Sequence, residues 1–221
     1  MTATAIRQTV PYVTRCHPSP PEVAMPPAVG LRQRKMERTR RAIADAALDL
    51  FETRGYAQTT VDDIAAAADV SPRTFFRYFA GKDESVFERA GDVQQHFSSL
   101  LRSRPDDEPL LASLREIGKA LLSTELIDEA RLRRLLALVA AEPALRNRYS
   151  ALIDSIEGEL TVWAAARLGV PAGDLRPRLI AATVLAARRV ATDTWLESPG
   201  DDLADHVSRA IDLLAAGLDG G

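Results

Sequence analysis

The sequence predicts an all-α protein, and three observations support this prediction. Alanine, leucine and arginine dominate the 221 residues, and no long run of β-branched residues alternates with polar ones as strands require. Apolar residues recur at helical spacing, first at positions 43, 46, 47, 50 and 51. Candidate N-caps, glycines and prolines divide the periodic segments into helix-sized lengths. A chain of this length can also bury a substantial core.

Residues 1–30 are expected to form a disordered, proline-rich tail. Six of these thirty residues are proline, which disfavours helices and offers little to pack. Met25 and Met36 leave a second possibility open: translation begins downstream, and part of this tail is not made in the cell.

The first helix is predicted to begin near Arg34 and to end at Gly55, a residue suited to a left-handed C-cap. Arg38, Arg40 and Arg41 lie near its N-terminal end, where the helix macrodipole disfavours positive charge. Nearby phosphates explain this placement better than the alternative, which is a solvated surface cluster.

Two short helices follow, and they predict a helix-turn-helix. The first spans Thr60–Ala68, with Thr60 as N-cap, and the second spans Ser71–Phe79, with Ser71 as N-cap and Pro72 at the first helical position. Only Asp69 and Val70 lie between them. So tight a turn between two helices indicates a DNA-binding motif whose second helix enters the major groove of duplex DNA.

Lys82 opens the helical body of the protein. Glycines and prolines mark the ends of about six further helices, with these expected bounds: Lys82 to near Leu101, Leu110–Leu122, Ala130–Ala140, Ala144–Leu168, Leu175–Leu196 and Leu203–Leu214. The expected domains are therefore a helix-turn-helix domain over 31–82 and a helical body over 83–221.

The charge distribution fits a nucleic-acid partner for the first domain alone. Residues 31–82 hold ten Lys and Arg against seven Asp and Glu, a net charge of +3, whereas residues 83–221 hold sixteen against twenty-three, a net charge of −7. A basic module on an acidic body suits a protein that contacts phosphate at one end.

Several other classes of protein are disfavoured by the sequence. No apolar run approaches the roughly 20 residues that a membrane helix needs, and the N-terminus lacks the apolar core of a signal peptide, so a cytoplasmic protein is expected. Cys16 is the single cysteine, no Cys/His cluster has zinc spacing, and no cofactor is expected. The three histidines are far apart and no nucleophile or phosphate-loop motif occurs, which argues against an enzyme.

Three segments resemble the TetR (TetR/AcrR) family of bacterial transcriptional regulators. They are RAIADAALDLF at 41–51, GYAQTTVDDIA at 55–65 and VSPRTFFRYFAGK at 70–82. Asp69 departs from the glycine that the family often has in the turn, but aspartate tolerates a left-handed conformation better than most residues. The resemblance implies a DNA-binding regulator, most often a repressor, that acts as a homodimer on an inverted-repeat operator.

The resemblance also implies roles for nine residues in DNA binding: Thr60, Ser71, Pro72, Arg73, Thr74, Phe76, Arg77, Tyr78 and Lys82. Thr60 would bind phosphate through its backbone N–H and hydroxyl. Arg73, Thr74 and Phe76 would reach base edges, and Tyr78 and Lys82 would contact the DNA backbone. Pro72 would touch thymine methyl groups, with Phe76 as a second candidate, and Arg77 would read bases or hold phosphate. Phe75 and Phe79 are expected in the core, whereas core and DNA contact are equally plausible for Phe76.

The body carries the weaker half of the resemblance. In this family the central helices bind a small molecule and the last two long helices, here Leu175–Leu196 and Leu203–Leu214, form the dimer. The scarcity of aromatic residues favours an apolar, elongated effector. The segments AEPALR at 141–146 and DLRPRL at 174–179 resemble regulators associated with mycofactocin biosynthesis, which suggests an acyl-like effector.

Two questions about the body stay open at this point. Trp163, Phe97, Tyr149 and Leu121 lie on helices that can line a pocket, although a core role is expected for each. The alternative function is a DNA-binding dimer or activator that needs no ligand, whose body is only a dimerisation scaffold. An apolar cavity would favour the ligand-responsive protein, and a solid core would favour the scaffold.

Overall fold

The computed structural model describes residues 30–217, and these residues form ten α-helices and no strand. The predicted disordered tail at 1–30 lies outside the described residues except for Gly30. The helices are α1 (Leu31–Arg54), α2 (Val61–Ala67), α3 (Pro72–Tyr78), α4 (Lys82–Ser85), α5 (Ala90–Ser103), α6 (Leu110–Leu122), α7 (Glu129–Ala141), α8 (Pro143–Leu168), α9 (Leu175–Glu197) and α10 (Leu203–Ala216). The all-α prediction is confirmed.

The predicted helix from Lys82 to near Leu101 is wrong in one respect, because the structure divides it. Helix α4 stops at Ser85, and α5 begins at Ala90. The Phe87 amide bonds to the Glu84 carbonyl at 3.0 Å and the Ala90 amide to the Phe87 carbonyl at 2.9 Å. These three-residue turns replace helical bonds and bury Val86, Phe87 and Glu88, so tertiary packing outweighs local helix propensity here.

The N-terminal core forms where α2 and α3 pack against the apolar stripe of α1. Ile43, Ala47 and Phe51 of that stripe are buried together with Ile64 of α2 and Phe75 of α3.

The same apolar cluster continues beyond position 82. It includes Val86 and Phe87 together with Leu138, Val139 and Leu145 from α7 and α8. Packing is therefore continuous across the predicted domain boundary, and the boundary itself stays a prediction.

The turn between α2 and α3 is fixed by a left-handed residue. Asp69 has φ +53°, its amide bonds to the Ala66 carbonyl at 3.2 Å, and the Val70 amide bonds to the Ala65 carbonyl at 2.9 Å. This pair of bonds is the Schellman arrangement that ends many helices, in which glycine is the usual left-handed residue. The short aspartate side chain accepts that conformation, so α3 leaves the turn in a fixed direction.

The body consists of α5–α10. Helix α9 packs between α8 and α10, and α10 also packs on α6, where a Cβ at Gly118 would lie only 3.3 Å from Val207. One apolar cluster surrounds Phe97, Leu114 and Leu160, and another surrounds the fully buried Trp195.

Two arginines of α7 form salt bridges with α1 and so join the body to the N-terminal helices. Arg131 of α7 pairs with Asp45 of α1, and Arg134, one turn further along α7, pairs with Asp49 and Glu52. Helix α7 thus holds α1 through two arginines on one of its faces.

Candidate DNA-binding surface

Helix α3 is anchored by one face and capped at its start. Phe75 is fully buried and Phe79 nearly so, with ring centroids 5.7 Å apart, as the four-residue spacing predicted. The Ser71 side chain accepts a hydrogen bond from the Thr74 amide at 3.1 Å, and Pro72 occupies the first turn, where its missing N–H costs nothing. The opposite face of the helix is therefore held in a defined orientation.

That opposite face is exposed. Pro72, Arg73, Phe76 and Arg77 are all solvent-exposed, and Phe76 exposes 58% of its surface. The Phe76 ring packs edge-on against Phe75, with 5.4 Å between the ring centroids and 83° between the ring planes. The ring therefore contacts the surface of the core without being buried in it. The core alternative for Phe76 is wrong, because the helix turns its side chain outward.

Two pairs of side chains interact at the two ends of α3. The Thr74 hydroxyl lies 3.0 Å from that of Ser71. Arg77 Nη2 donates to the Tyr78 hydroxyl at 3.4 Å, and the guanidinium lies 5.0 Å from the centre of the Tyr78 ring. The second pair of contacts holds Arg77 and Tyr78 side by side at the end of the helix.

Thr60 is engaged more fully than the sequence indicated. Its hydroxyl and its backbone N–H both donate to Asp63 Oδ2, at 2.6 Å and 2.9 Å, while its hydroxyl oxygen accepts from the Asp63 amide at 3.1 Å. This reciprocal capping box begins α2. The hydrogen bonds from Thr60, side chain first, lower the pKa of the Asp63 carboxyl, and the nearby Arg54 adds to this effect. The two groups expected to be free for phosphate are thus occupied by a carboxylate.

Lys82 is also bonded within the protein. Its Nζ donates to the backbone carbonyls of Tyr56 at 2.7 Å and of Thr59 at 2.9 Å, and it lies 4.1 Å from the centre of the Tyr56 ring. The lysine therefore fixes the loop between α1 and α2. An ammonium group has three donors, so one remains available for another acceptor.

The arginines in the first half of α1 do not share one role. Arg40 Nη2 bonds to Asp92 of α5 at 2.6 Å and lies 3.8 Å from Glu88. Arg41 lies 3.9 Å from Asp45, one turn along its own helix. For Arg40, a carboxylate 52 residues away in the sequence supplies a partner within the protein, and the expectation of phosphate contacts for these basic residues stays a prediction.

A cavity of about 270 Å³ lies within the body. Its walls come from α5–α10 and from the turn at 86–89, and most of the lining side chains are leucine, isoleucine, valine and phenylalanine. Phe97, Tyr149 and Leu121 line it, whereas Trp163 does not. The Trp163 indole instead donates to the Leu101 carbonyl at 3.0 Å, which places its ring among the packed residues between α5 and α8.

The charged residues of the cavity wall were not singled out from the sequence. Glu88, Arg89, Asp128 and Arg131 lie along it, and Arg188 joins them from α9. Charged residues in a sequence are usually on the surface. The ion-pair partners of Glu88 and Arg131 lie on α1, in the turn at 86–89 and on α7, so no local signal marks these two residues.

The N-terminal helices match a family model described as bacterial regulatory proteins of the tetR family, over residues 43–88. The body matches a second model, described as the MftR C-terminal domain, over residues 108–219. The HTH-type transcriptional regulator TcmR of Streptomyces glaucescens is 36% identical over 192 residues, which cover 84% of this chain and 85% of that protein. The chain belongs to the TetR family.

A second relative agrees with this membership, and a solved structure agrees with the fold. The putative mycofactocin biosynthesis transcriptional regulator MftR of Mycobacterium tuberculosis is 28% identical over 189 residues, covering 84% of this chain and 94% of that protein. The crystal structure of Thermus thermophilus FadR, a TetR-family repressor in complex with lauroyl-CoA, superposes with a TM-score of 0.53 at 24% identity and covers 82% of this chain and 94% of that one. The second likeness concerns the fold alone.

Membership in the TetR family makes the protein a DNA-binding transcriptional regulator and not an enzyme. Within residues 30–217, no helix combines the length and apolar character needed to cross a bilayer. In the same range, no group of three or more His, Cys, Asp or Glu side chains is arranged to hold a metal ion.

Proposed function

We propose that this TetR-family regulator is a ligand-responsive repressor that binds an inverted-repeat operator as a homodimer and is released by a small apolar effector. The observation that carries the DNA half of the proposal is the outer face of α3. Four side chains, Pro72, Arg73, Phe76 and Arg77, are exposed together on a helix whose other face is fixed in the core. A rigid helix with one unburied apolar-and-basic face fits the major groove.

Base reading is assigned to the centre of that face. Arg73 is the best candidate for a bidentate contact to guanine, and Phe76 and Pro72 supply apolar contacts for thymine methyl groups. The Thr74 hydroxyl reaches a base edge by exchanging its contact with Ser71 for a hydrogen bond to the base. Arg77 either reads a base or holds phosphate.

Phosphate contacts are assigned to the flanks of the face, where they set the position of α3 without reading sequence. Tyr78 contributes its hydroxyl, Lys82 contributes the donor that its loop contacts leave unused, and Ser71 lies at the start of the helix. Thr60 takes part by exchanging its bonds to Asp63 for bonds to a phosphate, which makes it the weakest of these contacts.

Dimerisation is assigned to α9 and α10, because both helices leave large apolar side chains exposed. Leu175 and Leu179 on α9 expose 74% and 59% of their surfaces, and Leu213 on α10 exposes 54%. Large exposed apolar side chains on neighbouring helices are typical of an interface. A twofold dimer would present its two α3 helices to half-sites about one helical turn or slightly more apart.

The effector is assigned to the cavity in the body, whose apolar lining and volume suit a small hydrophobic molecule, including the acyl part of a lipid-like compound. The turn at 86–89 lines this cavity, and only a few residues separate it from Lys82, which holds the α1–α2 loop. An effector that moves this turn would tilt α4 and change the spacing of the two α3 helices in the dimer. If the effector binds this tilted state more tightly than the DNA-binding state, it lowers the affinity for DNA.

The test is a fluorescence-anisotropy titration with DNA taken from immediately upstream of the protein's own gene and its neighbours. Operator binding should appear at physiological salt, map to an inverted repeat and exceed the affinity for random DNA of equal length. Binding no tighter than to random DNA would contradict specific autoregulation at these sites.

The alternative function is a ligand-independent DNA-binding dimer or activator, and the apolar cavity argues against it. A dimer that binds its operator and is released by no apolar compound, in a screen of acyl and aromatic molecules, would support that alternative.

A further inference from the structure

One end of the cavity carries a cluster of charged side chains, although most of the cavity wall is apolar. Glu88 from the turn after α4 and Arg131 from α7 both line it. The Glu88 side chain is 4% exposed, and its Oε1 lies 3.6 Å from Arg89 Nε and 4.0 Å from Arg131 Nε. These are ion-pair distances, but they are too long for hydrogen bonds.

Two buried atoms at this end have unmet hydrogen-bonding capacity. Glu88 Oε1 is an acceptor and Arg131 Nη2 is a donor, and neither has a hydrogen-bond partner. A buried donor or acceptor atom without a hydrogen bond is unfavourable, so a molecule that supplies the missing hydrogen bond gains binding free energy there.

The same two residues also contact α1, the first of the N-terminal helices. Arg131 Nη1 donates to Asp45 of α1, and Glu88 Oε2 lies 3.8 Å from Nη2 of Arg40, also on α1. A ligand group that binds Glu88 Oε1 and Arg131 Nη2 therefore acts on the same two side chains whose other atoms, Oε2 and Nη1, contact α1.

Arg134 provides an internal comparison. It lies three residues beyond Arg131 on α7 and likewise pairs with acids of α1, bonding to Glu52 through Nε at 2.9 Å. Unlike Arg131, it is not part of the cavity wall. The two arginines thus share the contact with α1 but differ in access to an effector.

We propose that Glu88 and Arg131 recognise a neutral hydroxyl group on an apolar effector, and that this recognition draws Arg131 away from Asp45. A hydroxyl group satisfies both atoms, because it donates to Glu88 Oε1 and accepts from Arg131 Nη2. An ether accepts but cannot donate. A carboxylate cannot donate either, and the Glu88 charge repels it. This inference rests on the proposed function, since it names the effector class and the coupling residue of the same cavity.

The experiment uses three probes that share an apolar body and differ in head group: 4-hexylphenol, its methyl ether 4-hexylanisole, and 4-hexylbenzoate. Calorimetry measures their affinity for the full-length protein and for the variants Arg131→Met, Arg134→Met and Glu88→Gln, each first checked for cooperative thermal unfolding. Methionine keeps much of the aliphatic bulk of arginine and removes its donors. Release of operator DNA by 4-hexylphenol is measured by anisotropy in the same proteins.

The wild-type protein should bind 4-hexylphenol about tenfold or more tightly than either analogue. Arg131→Met should abolish this preference and the release of DNA, whereas Arg134→Met should retain both. Glu88→Gln removes the repulsive charge, so it should narrow the discrimination against 4-hexylbenzoate even if Arg131→Met does not fold.

Equal binding of the three probes, or a preference that survives Arg131→Met, would overturn the inference and leave the apolar effector site of the proposed function in place. Binding of none of them would overturn the inference and count against that effector site as well, while operator binding would still be measured separately.

Discussion

Lys82 Nζ lies 4.1 Å from the centre of the Tyr56 ring and donates to the carbonyl oxygen of the same residue at 2.7 Å. The same ammonium reaches Thr59, whose side chain is buried and donates to the Gly55 carbonyl at 2.8 Å. One lysine therefore holds the loop that leads into α2, although 26 residues separate it from Tyr56.

Replacing Lys82 with methionine should affect folding as well as DNA binding. The variant loses two charge-assisted bonds to backbone carbonyls, so its unfolding free energy in urea should fall by about 1–3 kcal/mol. Affinity should fall by a similar factor for operator and for random DNA, because phosphate contacts carry no sequence information. Lys119→Met on α6 is the matched control. An unchanged unfolding free energy for Lys82→Met would show that the loop does not depend on the lysine.

Phe75 and Phe76 are adjacent residues of one type with opposite surroundings, and they form a natural pair of variants. Phe75→Ala should lower the unfolding free energy by about 3–5 kcal/mol, because it empties a fully buried site. Phe76→Ala should change that free energy little and should weaken operator binding. Urea unfolding and anisotropy on both variants test this, and a stability loss at Phe76 equal to that at Phe75 would contradict it.

Arg73→Ala should cost about 1–3 kcal/mol of operator binding and relax the preference for one base pair in each half-site. Anisotropy with operators altered one base pair at a time measures both effects, and random DNA of the same length is the control. Equal losses on operator and random DNA would move Arg73 to the phosphate-contacting group.

The Thr60–Asp63 cap should make stability sensitive to acid. Hydrogen bonds from Thr60 lower the folded-state pKa of Asp63 below its ordinary value of 3.8. The stabilisation is therefore fully present above that value and is lost as pH falls through the lower, folded-state pKa. Thr60→Ala should destabilise the protein by about 1 kcal/mol at neutral pH, and the difference from wild type should shrink at about pH 3.

Urea unfolding at both pH values measures this difference. Thr60→Ser, which keeps the hydroxyl, is the control and should follow the wild-type protein. A difference for Thr60→Ala that stays constant from neutral to acid pH would mean that the bond from the Thr60 hydroxyl to the carboxylate contributes nothing to stability.

Leu179→Asp on α9 should convert the dimer to a monomer, because it places a charge in the proposed interface. Loss of the paired half-site contacts should weaken operator binding by about a hundredfold or more. Light scattering with size-exclusion chromatography gives the mass. Leu31→Asp is the control, since Leu31 exposes 82% of its surface on α1. A Leu179→Asp dimer would place the interface elsewhere.

The fold was predictable wherever local residues determine where helices end. Pro143 and Gly169 bound α8 within one residue of the predicted limits, because proline and glycine act through their own backbone. The break between α4 and α5 was not predictable, since it depends on burying Phe87 and Glu88 against helices distant in the sequence.

The same distinction applies to the DNA-binding surface. The four-residue spacing of Phe75 and Phe79 indicates the buried face of α3, and the outer face follows from it. The bonds of Thr60 to Asp63 connect residues three apart and were detectable as a capping pattern. The contacts of Arg40 and Lys82 span 52 and 26 residues, so only the folded chain brings them together.

The ionic junction between α1 and α7 affects how a salt titration of DNA binding would be interpreted. The slope of affinity against salt concentration is normally used to count the phosphates a protein contacts, through the counterions it releases. Here added salt also screens Arg134 from Asp49 and Glu52, which are largely at the surface. Part of the slope would then reflect weaker attachment of α1, and so of the helix-turn-helix, to the helical body. The count of phosphates would come out too high, and comparison with Arg134→Met would reveal by how much.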